Sequence, residues 1–172
     1  KNLKKNKFKR IMVPKFDKSK DDRNPKGKWL AVKKKPNIVI FEGWCVGVTS
    51  QKEKDLVIPI NKLEKQKDEK RIWRQTVNKE LKNKYKKIFK LIDKLIFLKV
   101  PSFKYVYKWR LLQEKKLRAK SRGNKTMSNE QVKNFIMYYE RLTKNMLKIL
   151  PKKANTVISI DESHRLKSIK FN

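Results

Sequence analysis

The chain has 172 residues, of which 49 are Lys or Arg and 16 are Asp or Glu, so its formal net charge is +33. Hydrophobic residues make up 38% of the sequence and aromatic residues 10%, enough for a core, which excludes disorder throughout. The single cysteine, Cys45, excludes an intrachain disulfide framework and a CxxC metal site. Because no apolar run approaches the ~18–20 residues that span a membrane, we expect a soluble cytoplasmic protein without a membrane partner.

The positive charge has two interpretations. Lys and Arg neutralise phosphates, so a basic nucleic-acid-binding protein is one of them. However, 40 of the basic residues are Lys and nine are Arg, and 13 residues are Asn. Arg is the better residue for bidentate contacts with phosphates and bases, whereas Lys and Asn accumulate at surface positions in AT-rich coding sequences. We therefore favour compositional drift and keep nucleic-acid binding as the alternative.

Apolar patterning predicts two strands in the first fifty residues. Residues 8–13 form a short apolar run that Pro14 ends. Residues 15–36 are polar and rich in turn formers, which predicts a long loop. Residues 37–41 read Asn-Ile-Val-Ile-Phe, a continuous apolar run of the kind that forms a strand buried on both faces of a parallel sheet.

The middle of the chain predicts a helix followed by a strand. Residues 48–70 are polar and predict a loop with a short helix. Apolar residues at spacings of three and four then predict an amphipathic helix over residues 71–92. Residues 95–100 form a second buried-type strand, which Pro101 stops.

The last third predicts two helices and a hairpin. Ser102 is a candidate N-cap for a helix that runs through residue 117, followed by a flexible basic loop. Ser128 and Gln131 form a capping box for the next helix, and Pro151 closes it. Residues 156–160 and 166–171 predict strands on either side of a turn. Alternation of strands and helices in this order favours an α/β fold with a mainly parallel sheet.

Six groups of residues, in chain order, match the motifs of one enzyme family. Phe16 to Arg23 reads FDKSKDDR, and Phe41 to Gly47 reads FEGWCVG. Together they resemble the signature of the bacterial P-loop kinases of the D-glycerate 3-kinase type. The other matching segments are Pro59 to Glu64, Trp73 to Asn78, Val106 to Arg118, and Met127 to Thr143. The resemblance covers nearly the whole chain.

The resemblance implies a three-layer α/β fold of the P-loop kinase type with a mainly parallel sheet. The four glycines, Gly27, Gly43, Gly47 and Gly123, form no GxxxxGK[ST] motif, the loop that cradles the phosphates of ATP. We therefore expect residues 1–172 to be the C-terminal part of a single kinase domain, incomplete at its N-terminus and inactive alone. Its lid is expected at about residues 108–127.

A carboxylate at a strand end is the first candidate functional group. In open α/β sheets, ligands bind beyond the carboxyl ends of the strands, and Glu42 followed by Gly43 lies at such an end. Mg²⁺ prefers oxygen ligands. The resemblance makes Glu42 the magnesium-binding acidic residue of the kinase motif; the alternative is a solvated glutamate at a strand end.

Three further sets of residues take their roles from the resemblance. Asp17, Lys18, Asp22 and Arg23 match the substrate-side loop, where Arg23 could clamp the carboxylate of a hydroxy acid; the alternative is a loop held together by Asp–Arg pairs.

Arg110 and Arg118 lie eight positions apart on one helix and therefore face similar directions. They match catalytic lid arginines that stabilise the transferring phosphoryl group. The alternative is a solvated basic face, in which Arg110 pairs with Glu114. Asp161 and Arg165 match a turn near the nucleotide base; the alternative is a plain hairpin turn.

The function implied by the resemblance is ATP- and Mg²⁺-dependent phosphorylation of a small hydroxy acid, D-glycerate. Two alternatives remain open: a basic nucleic-acid-binding protein and an inactive pseudo-kinase fragment. The oligomeric state is left open.

Overall fold

A computed structural model of the chain describes Leu3 and residues 8–17, 22–120 and 126–172. The chain divides into two compact units, Lys1–Gly43 and Trp44–Asn172, and each is described by itself. The predicted substrate residue Lys18 lies outside the described residues. Residues 121–125 of the predicted lid also lie outside them.

The first unit contains two small antiparallel sheets. β1 pairs with β4, with Met12 opposite Ala31, and β2 pairs with β3, with Asp17 opposite Asp22. The bounds are β1 Ile11–Val13, β2 Phe16–Asp17, β3 Asp22–Arg23 and β4 Leu30–Val32, with a 3₁₀ helix at Lys26–Lys28. The predicted long loop over residues 15–36 is therefore wrong, because its described part is folded into short strands. Backbone pairing across two-residue strands needs little apolar patterning.

The apolar run at residues 37–41 differs from its prediction. The structure describes these residues but assigns no strand to them. Ile38 and Ile40 are 81% and 85% exposed. The prediction of a strand buried on both faces is therefore wrong for this structure. An apolar run predicts that a segment needs burial, but strand formation also needs a neighbour that accepts its backbone hydrogen bonds.

The second unit contains a three-stranded sheet and two long helices. The bounds are a 3₁₀ helix at Glu53–Leu56, α1 Lys62–Lys67, α2 Ile72–Glu80, α3 Lys86–Phe89, β5 Ile96–Lys99, α4 Phe103–Lys120, α5 Asn129–Lys153, β6 Thr156–Ile160 and β7 Leu166–Phe171. The helix α5 packs against β5 of the sheet, and α4 packs against α5. Among the residues described, no helix combines the length and apolar character that a membrane span requires.

The sheet of the second unit has the order β5-β6-β7. β5 and β6 are parallel, and β6 and β7 form an antiparallel hairpin with a register irregularity at Ser159 and Ile160. Phe97 and Val157 are paired across β5 and β6, and both side chains are buried with Met146 and Leu150 of α5. The predicted α/β class is confirmed, and one face of the sheet carries the core.

α5 begins as predicted but ends later. The Ser128 side chain accepts a hydrogen bond from the Gln131 N–H, and the Gln131 side chain accepts one from the Ser128 N–H, so both bonds of the capping box are present. Pro151 lies inside the helix, which continues to Lys153. The prediction that Pro151 closes the helix is wrong by two residues. Proline removes one donor, and the last turn tolerates this loss when the Ala154 N–H still reaches the Leu150 carbonyl.

The predicted helix over residues 71–92 is present but interrupted. α2 is followed by a π-helical turn over Leu81–Tyr85 and then by α3. Leu81, the first residue of the π turn, is buried in the core. A π turn shifts the angular position of the residues after it, so the apolar side chains of the two helical parts do not share one stripe. Periodicity in the sequence did not indicate this shift.

Gly47 is a position where only glycine fits. Its φ is +81°, a region that residues with a side chain rarely adopt. A Cβ atom there would lie 2.9 Å from Leu95 Cδ2, closer than van der Waals contact allows. The last glycine of the FEGWCVG motif is therefore required for the chain to pass beside the start of the sheet.

Two buried arginines bind the backbone of the segment at residues 49–58. The guanidinium of Arg141 donates to the Glu64 carboxylate at 2.7 and 2.6 Å. It also donates to the carbonyls of Asp55 and Ile58 at 2.7 and 2.8 Å. Such bidentate pairs are the strong form of the charge-assisted hydrogen bond. Arg141 therefore joins α5 to α1 and to the segment that precedes α1.

Arg74 performs the same task from α2. Its Nε donates to the Leu56 carbonyl at 2.7 Å, and its Nη1 binds Asp68 Oδ2 at 2.9 Å and also the Asp68 carbonyl. Asp68 in turn accepts the N–H groups of Trp73 and Arg74 at 2.8 and 3.1 Å. The carboxylate of Asp68 thus satisfies free donors at the start of α2.

Two asparagines extend these contacts toward residue 49. The Asn78 side chain accepts from the Gln51 N–H at 2.7 Å and donates to the Gln51 carbonyl at 3.1 Å. Asn145 donates to the Thr49 carbonyl at 2.9 Å. Together with Arg74 and Arg141, these asparagines form what we call the backbone clamp. The clamp holds the segment through its main chain.

The two carboxylates that the clamp arginines bind, those of Glu64 and Asp68, have pKa values that follow from these contacts. Burial alone raises the pKa of Glu64, but hydrogen bonds from the Arg141 guanidinium and the Ile60 N–H outweigh it, so the net pKa is lowered. Burial likewise opposes ionisation of Asp68. The N–H groups of Trp73 and Arg74 and the Arg74 guanidinium outweigh it, and the pKa of Asp68 is also lowered.

We predict that Arg141→Met strongly destabilises the second unit. The substitution leaves the Glu64 carboxylate buried without its partner, a change that costs about 3–5 kcal/mol in comparable pairs. Urea unfolding followed by circular dichroism measures the loss. Lys84→Met is the matched control, because it removes an exposed pair with Glu80, for which we expect at most about 1 kcal/mol. Equal losses in the two variants would contradict the assigned role.

The stabilising effect of Glu64 is expected to depend on pH. A carboxyl whose folded pKa is lowered contributes stability that is fully present above its unfolded pKa of about 4.3. That contribution is lost as the pH falls through the lowered folded value. The difference in unfolding free energy between wild type and Glu64→Gln should therefore be constant from pH 7 to about pH 5 and shrink below about pH 4. A difference that stays constant down to pH 3 would show that the ionised form is not stabilised.

Candidate active site

Three of the predicted substrate residues lie on a pair of short antiparallel strands in the first unit. Asp17 and Asp22 are cross-strand partners in β2 and β3, and Phe16 is opposite Arg23. The Arg23 N–H donates to Asp22 Oδ1 at 2.6 Å. The structure therefore brings Asp17, Asp22 and Arg23 together on this strand pair.

Glu42, the predicted magnesium ligand, lies in the same unit and is exposed. It follows the apolar run at residues 37–41 and directly precedes Gly43, the last residue of the unit. Over the described ranges 8–17, 22–120 and 126–172, no group of three or more His, Cys, Asp or Glu side chains could hold a metal. Glu42 is therefore not part of such a group within the described residues.

Arg110 lies on α4 and is held by three neighbours. It donates to Gln113 Oε1 at 2.7 Å and to Glu114 Oε1 at 2.6 Å. Its guanidinium carbon lies 5.5 Å from the centre of the Phe135 ring. Glu114 is 2% exposed, and its second oxygen accepts the Met127 N–H at 3.2 Å. The ion pair considered for this helix is therefore present.

The Arg110 side chain is not fully satisfied by these contacts. Its Nε is buried, and no described residue accepts a hydrogen bond from it. A buried donor without an acceptor costs about 1–3 kcal/mol. The Arg110 side chain therefore carries this cost in the position that Gln113 and Glu114 give it.

Arg118 lies two turns further along α4 and contacts the start of the next helix. Its Nη2 donates to Asn129 Oδ1 at 3.2 Å. Asn129 is the first residue of α5, and Met127, which contacts Glu114, lies two residues earlier. Both predicted lid arginines therefore belong to the junction between α4 and α5.

Asp161 and Arg165 close the β6–β7 hairpin. The Asp161 carboxylate accepts N–H groups from Ser163 and Arg165 at 2.8 and 2.9 Å and pairs with Arg165 Nε at 3.1 Å. The hydrogen bond from the Arg165 N–H is the main cause that lowers the pKa of Asp161. His164 in this turn has a φ of +65°. These contacts are those of a self-contained turn.

Two aromatic residues of α4 hold this hairpin turn. The ring centres of Trp109 and His164 are 4.1 Å apart, and Trp109 Nε1 donates to the Glu162 carbonyl at 3.1 Å. Tyr105, one turn earlier, bonds to the Glu162 side chain, which raises the pKa of the Tyr105 hydroxyl. The structure therefore connects Asp161 and Arg165 to the helix that carries Arg110. The sequence did not indicate the contact between Trp109 and His164, which are 55 positions apart in the chain.

Trp44 and Cys45 of the FEGWCVG motif pack within the second unit. The Trp44 ring is stacked on Tyr139 at 4.6 Å, and its Nε1 donates to Thr143 Oγ1 at 3.1 Å. Burial raises the pKa of the Cys45 thiol, which disfavours the thiolate and agrees with a packing role. The motif therefore connects to α5 through the stacking and the hydrogen bond of Trp44.

The predicted site residues fall into two groups. Asp17, Asp22, Arg23 and Glu42 belong to the first unit, and Arg110, Arg118, Asp161 and Arg165 belong to the second. Two further residues fix local geometry: Arg141, to which the sequence assigned no role, and Glu114, which it named only as a partner of Arg110 on a basic face. Such residues are recognised by a charged side chain in a buried position, and burial cannot be read from a sequence.

Comparison with known proteins identifies homologous kinases. No family model matches the chain. The chain is 37% identical over 135 residues to an uncharacterized kinase, mug58, of Schizosaccharomyces pombe, which covers 75% of the chain and 47% of that protein. It is 31% identical over 134 residues to the chloroplastic D-glycerate 3-kinase of Arabidopsis thaliana, which covers 76% of the chain and 26% of that protein. The chain thus spans less than half of either relative.

Solved structures support the same relationship at the level of fold. The D-glycerate 3-kinase of Cryptococcus neoformans matches with a TM-score of 0.75 and 23% identity, over 95% of this chain and 60% of that one. The YGR205w protein matches with a TM-score of 0.66 and 26% identity, over 94% of this chain and 57% of that one. The three organisms named above do not confirm the bacterial part of the prediction. By sequence and by fold, the chain is a homologue of D-glycerate 3-kinase.

Proposed function

We propose that this chain forms part of an ATP-dependent kinase that phosphorylates a small hydroxy acid, with D-glycerate as its substrate. The observation that carries the proposal is the 31% identity to a D-glycerate 3-kinase over three quarters of the chain. The match to the fold of a second D-glycerate 3-kinase supports it. Because the chain spans only part of these relatives, both the activity and the substrate are inferred.

The proposed role of Arg110 and Arg118 is electrostatic. Phosphoryl transfer develops charge on the equatorial oxygens of the transferred group, and arginines stabilise that charge. Arg110 has a donor without a partner among the described residues. Arg118 makes one long hydrogen bond, to Asn129. Arg118 can therefore contact a phosphate at little cost, whereas Arg110 would first have to shift from the position in which Gln113 and Glu114 hold it.

The proposed role of Glu42 is to bind the Mg²⁺ that accompanies ATP. Mg²⁺ usually takes one or two protein carboxylates and completes its octahedron with phosphate oxygens and waters. An exposed, single carboxylate fits this pattern, whereas a cage of protein ligands would not. When bound, the ion would neutralise charge between the phosphates.

The proposed substrate residues suit a molecule that carries both hydroxyls and a carboxylate. Arg23 offers a fork of donors to the carboxylate. Asp17 and Asp22, which face each other across β2 and β3, offer acceptors for hydroxyl groups. Lys18 follows Asp17 directly in the sequence and is kept in this set from the motif alone.

Asp161 and Arg165 are proposed to lie near the nucleotide. The ordered turn that they close is attached to α4 by Trp109, so a nucleotide beside the turn would also lie beside the helix that carries Arg110. The cytoplasmic location stays a prediction from the sequence, and the Arabidopsis relative, a chloroplastic enzyme, does not support it.

A chimera tests the proposed activity. Residues 1–172 would replace the matched part of the Arabidopsis D-glycerate 3-kinase, and ADP release would be measured with and without D-glycerate. We expect glycerate-dependent turnover that falls at least about tenfold in Glu42→Gln, the loss expected when about 1.4 kcal/mol of transition-state stabilisation is removed. The matched control, Glu69→Gln, changes an exposed glutamate without an assigned role and should retain the rate.

The same chimera separates the kinase from its alternatives. A folded chimera without glycerate-dependent turnover would contradict the proposal and favour an inactive pseudo-kinase. Tight RNA binding with a steep salt dependence, in the absence of turnover, would favour the nucleic-acid alternative. The exposed lysines between residues 82 and 94 would then be its basis.

The proposed contact between Arg23 and the carboxylate of the substrate gives a separate prediction. In the active chimera, Arg23→Lys should raise the KM for D-glycerate about tenfold or more, because Lys cannot form the bidentate contact. The kcat should change little if this contact stabilises the bound substrate and the transition state equally. Glycerol, which lacks the carboxylate, should react equally poorly with both forms. Arg10→Lys is the control, and a KM unchanged in Arg23→Lys would remove Arg23 from the substrate site.

A further inference from the structure

The turn between β6 and β7 uses alternate residues for two different tasks. Asp161 and Arg165 pair with each other inside the turn, with 3.1 Å between Asp161 Oδ2 and Arg165 Nε. Glu162 and His164 contact Trp109 of α4 instead. The Glu162 carbonyl accepts a hydrogen bond from Trp109 Nε1 at 3.1 Å, and the centres of the His164 and Trp109 rings are 4.1 Å apart. The indole thus holds the turn through residues other than the two proposed to lie near the nucleotide.

Two features indicate that the turn depends on this support. His164 has a φ of +65°, and a non-glycine residue keeps such a conformation only where its surroundings fix it. Its ring packs against that of Trp109. Tyr105, four residues before Trp109 and therefore on the same face of α4, adds a hydrogen bond to the Glu162 side chain. The turn is therefore attached to α4 at both Glu162 and His164.

The next residue, Arg110, attaches the same part of α4 to a different helix. Consecutive residues of an α-helix point about 100° apart, since about 3.6 residues make one turn. The Arg110 guanidinium carbon lies 5.5 Å from the ring centre of Phe135 in α5. Its ion-pair partner Glu114 accepts the Met127 N–H just before that helix. This part of α4 is therefore fixed on one side by the β6–β7 turn and on another side by α5.

We propose that Trp109 is a positioning residue that couples the β6–β7 turn to Arg110. Both side chains belong to one turn of one helix, so a rotation of α4 that releases Trp109 from the β6–β7 turn also moves Arg110 relative to Phe135. The contact between Trp109 and the β6–β7 turn therefore fixes the point from which the Arg110 side chain extends. In the proposed kinase, this keeps the turn near the nucleotide and the arginine near the phosphate at a constant separation. The coupling rests on the contacts alone, whereas its catalytic consequence rests on the proposed function.

Hydrogen exchange in the full chain tests the coupling without any enzymatic activity. Two protons report on the two ends: the Arg165 N–H, which binds Asp161 Oδ1 at 2.9 Å, and the buried Arg110 Nε–H. Both are followed by NMR in mildly acidic buffer. In Trp109→Ala we expect both protons to exchange at least about tenfold faster, because local opening of the β6–β7 turn and of α4 becomes more frequent.

Trp73→Ala is the matched control. Trp73 lies in α2, and its ring is stacked on Tyr138 with 6.5 Å between the ring centres, so this substitution removes a packed indole away from α4. Both reporter protons should then exchange at the wild-type rate. Trp109→Phe keeps a ring beside His164 and removes only the Nε1–H donor. It replaces Trp109→Ala if that variant does not fold, with an expected acceleration of about threefold or more at both protons.

Two results of the exchange experiment would overturn the proposal. Faster exchange of the Arg165 N–H with an unchanged Arg110 Nε–H would mean that Trp109 supports the turn but does not position the arginine. Unchanged exchange of both protons in a folded Trp109 variant would show that the indole supports neither.

A double-mutant cycle in the active chimera tests the catalytic consequence. Trp109→Ala should lower kcat about tenfold and raise the KM for ATP. In an Arg110→Ala background, the same change should lower kcat at most about twofold further, because Trp109 acts on the chemical step through Arg110. The KM for ATP should still rise in that background, because this effect acts through the turn. Trp73→Ala should change neither constant.

The cycle and the exchange rates separate the failure of this inference from the failure of the proposed function. Equal falls in kcat in the two backgrounds of an active chimera would show a general structural effect and contradict the positioning role, while the kinase proposal stands. A folded chimera that is inactive before any substitution contradicts the kinase proposal, and the exchange rates then decide the coupling alone.

Discussion

The buried guanidinium of Arg141 is the interaction on which the second unit depends most. It joins the middle of α5 to the Glu64 carboxylate and to two main-chain carbonyls of the segment before α1. A buried ion pair gives little net stability by itself, yet it is costly to break, because either partner left alone remains desolvated. Arg74 acts in the same way from α2. The helices are thus positioned by polar contacts with defined directions, while the core of Val48, Phe97 and Leu150 supplies attraction without direction.

Local signals predicted the helical part of the fold well. The capping box at Ser128 located the start of α5, and apolar spacing located the helix after residue 71, because both signals act within a few residues. The π turn at Leu81–Tyr85 was not predicted, because it depends on how Leu81 packs in the core, which is a tertiary effect. The run at residues 37–41 shows the opposite case. Its composition indicates a need for burial, but a strand also needs a neighbour, and pairing partners are distant in sequence.

For the candidate site, the motifs indicated which segments are important, but not what each residue in them does. Arg74, Asn78 and Arg141 all lie in matched segments, yet no function was assigned to them from the sequence. In the structure they bind main-chain groups. Arg110 shows how the two kinds of role overlap: Glu114 holds it in place, and its Nε lacks an acceptor among the described residues. Burial, hydrogen-bond partners and unsatisfied donors are properties of three-dimensional packing, so a single sequence could indicate the candidates but could not rank them.

The backbone clamp has a consequence for how the sequence can change. Its side chains grip the carbonyls of Thr49, Gln51, Asp55, Leu56 and Ile58, and every amino acid provides a carbonyl. Most side chains of this segment are therefore not needed to keep it in place; Leu56, which is buried in the core, is the exception. Exposed positions such as Lys52 and Lys54 can accept whatever polar residue mutation supplies, at almost no cost in geometry. A segment held in this manner keeps its geometry while its exposed side chains change, so a high lysine content is compatible with the fold that the chain shares with its structural relatives.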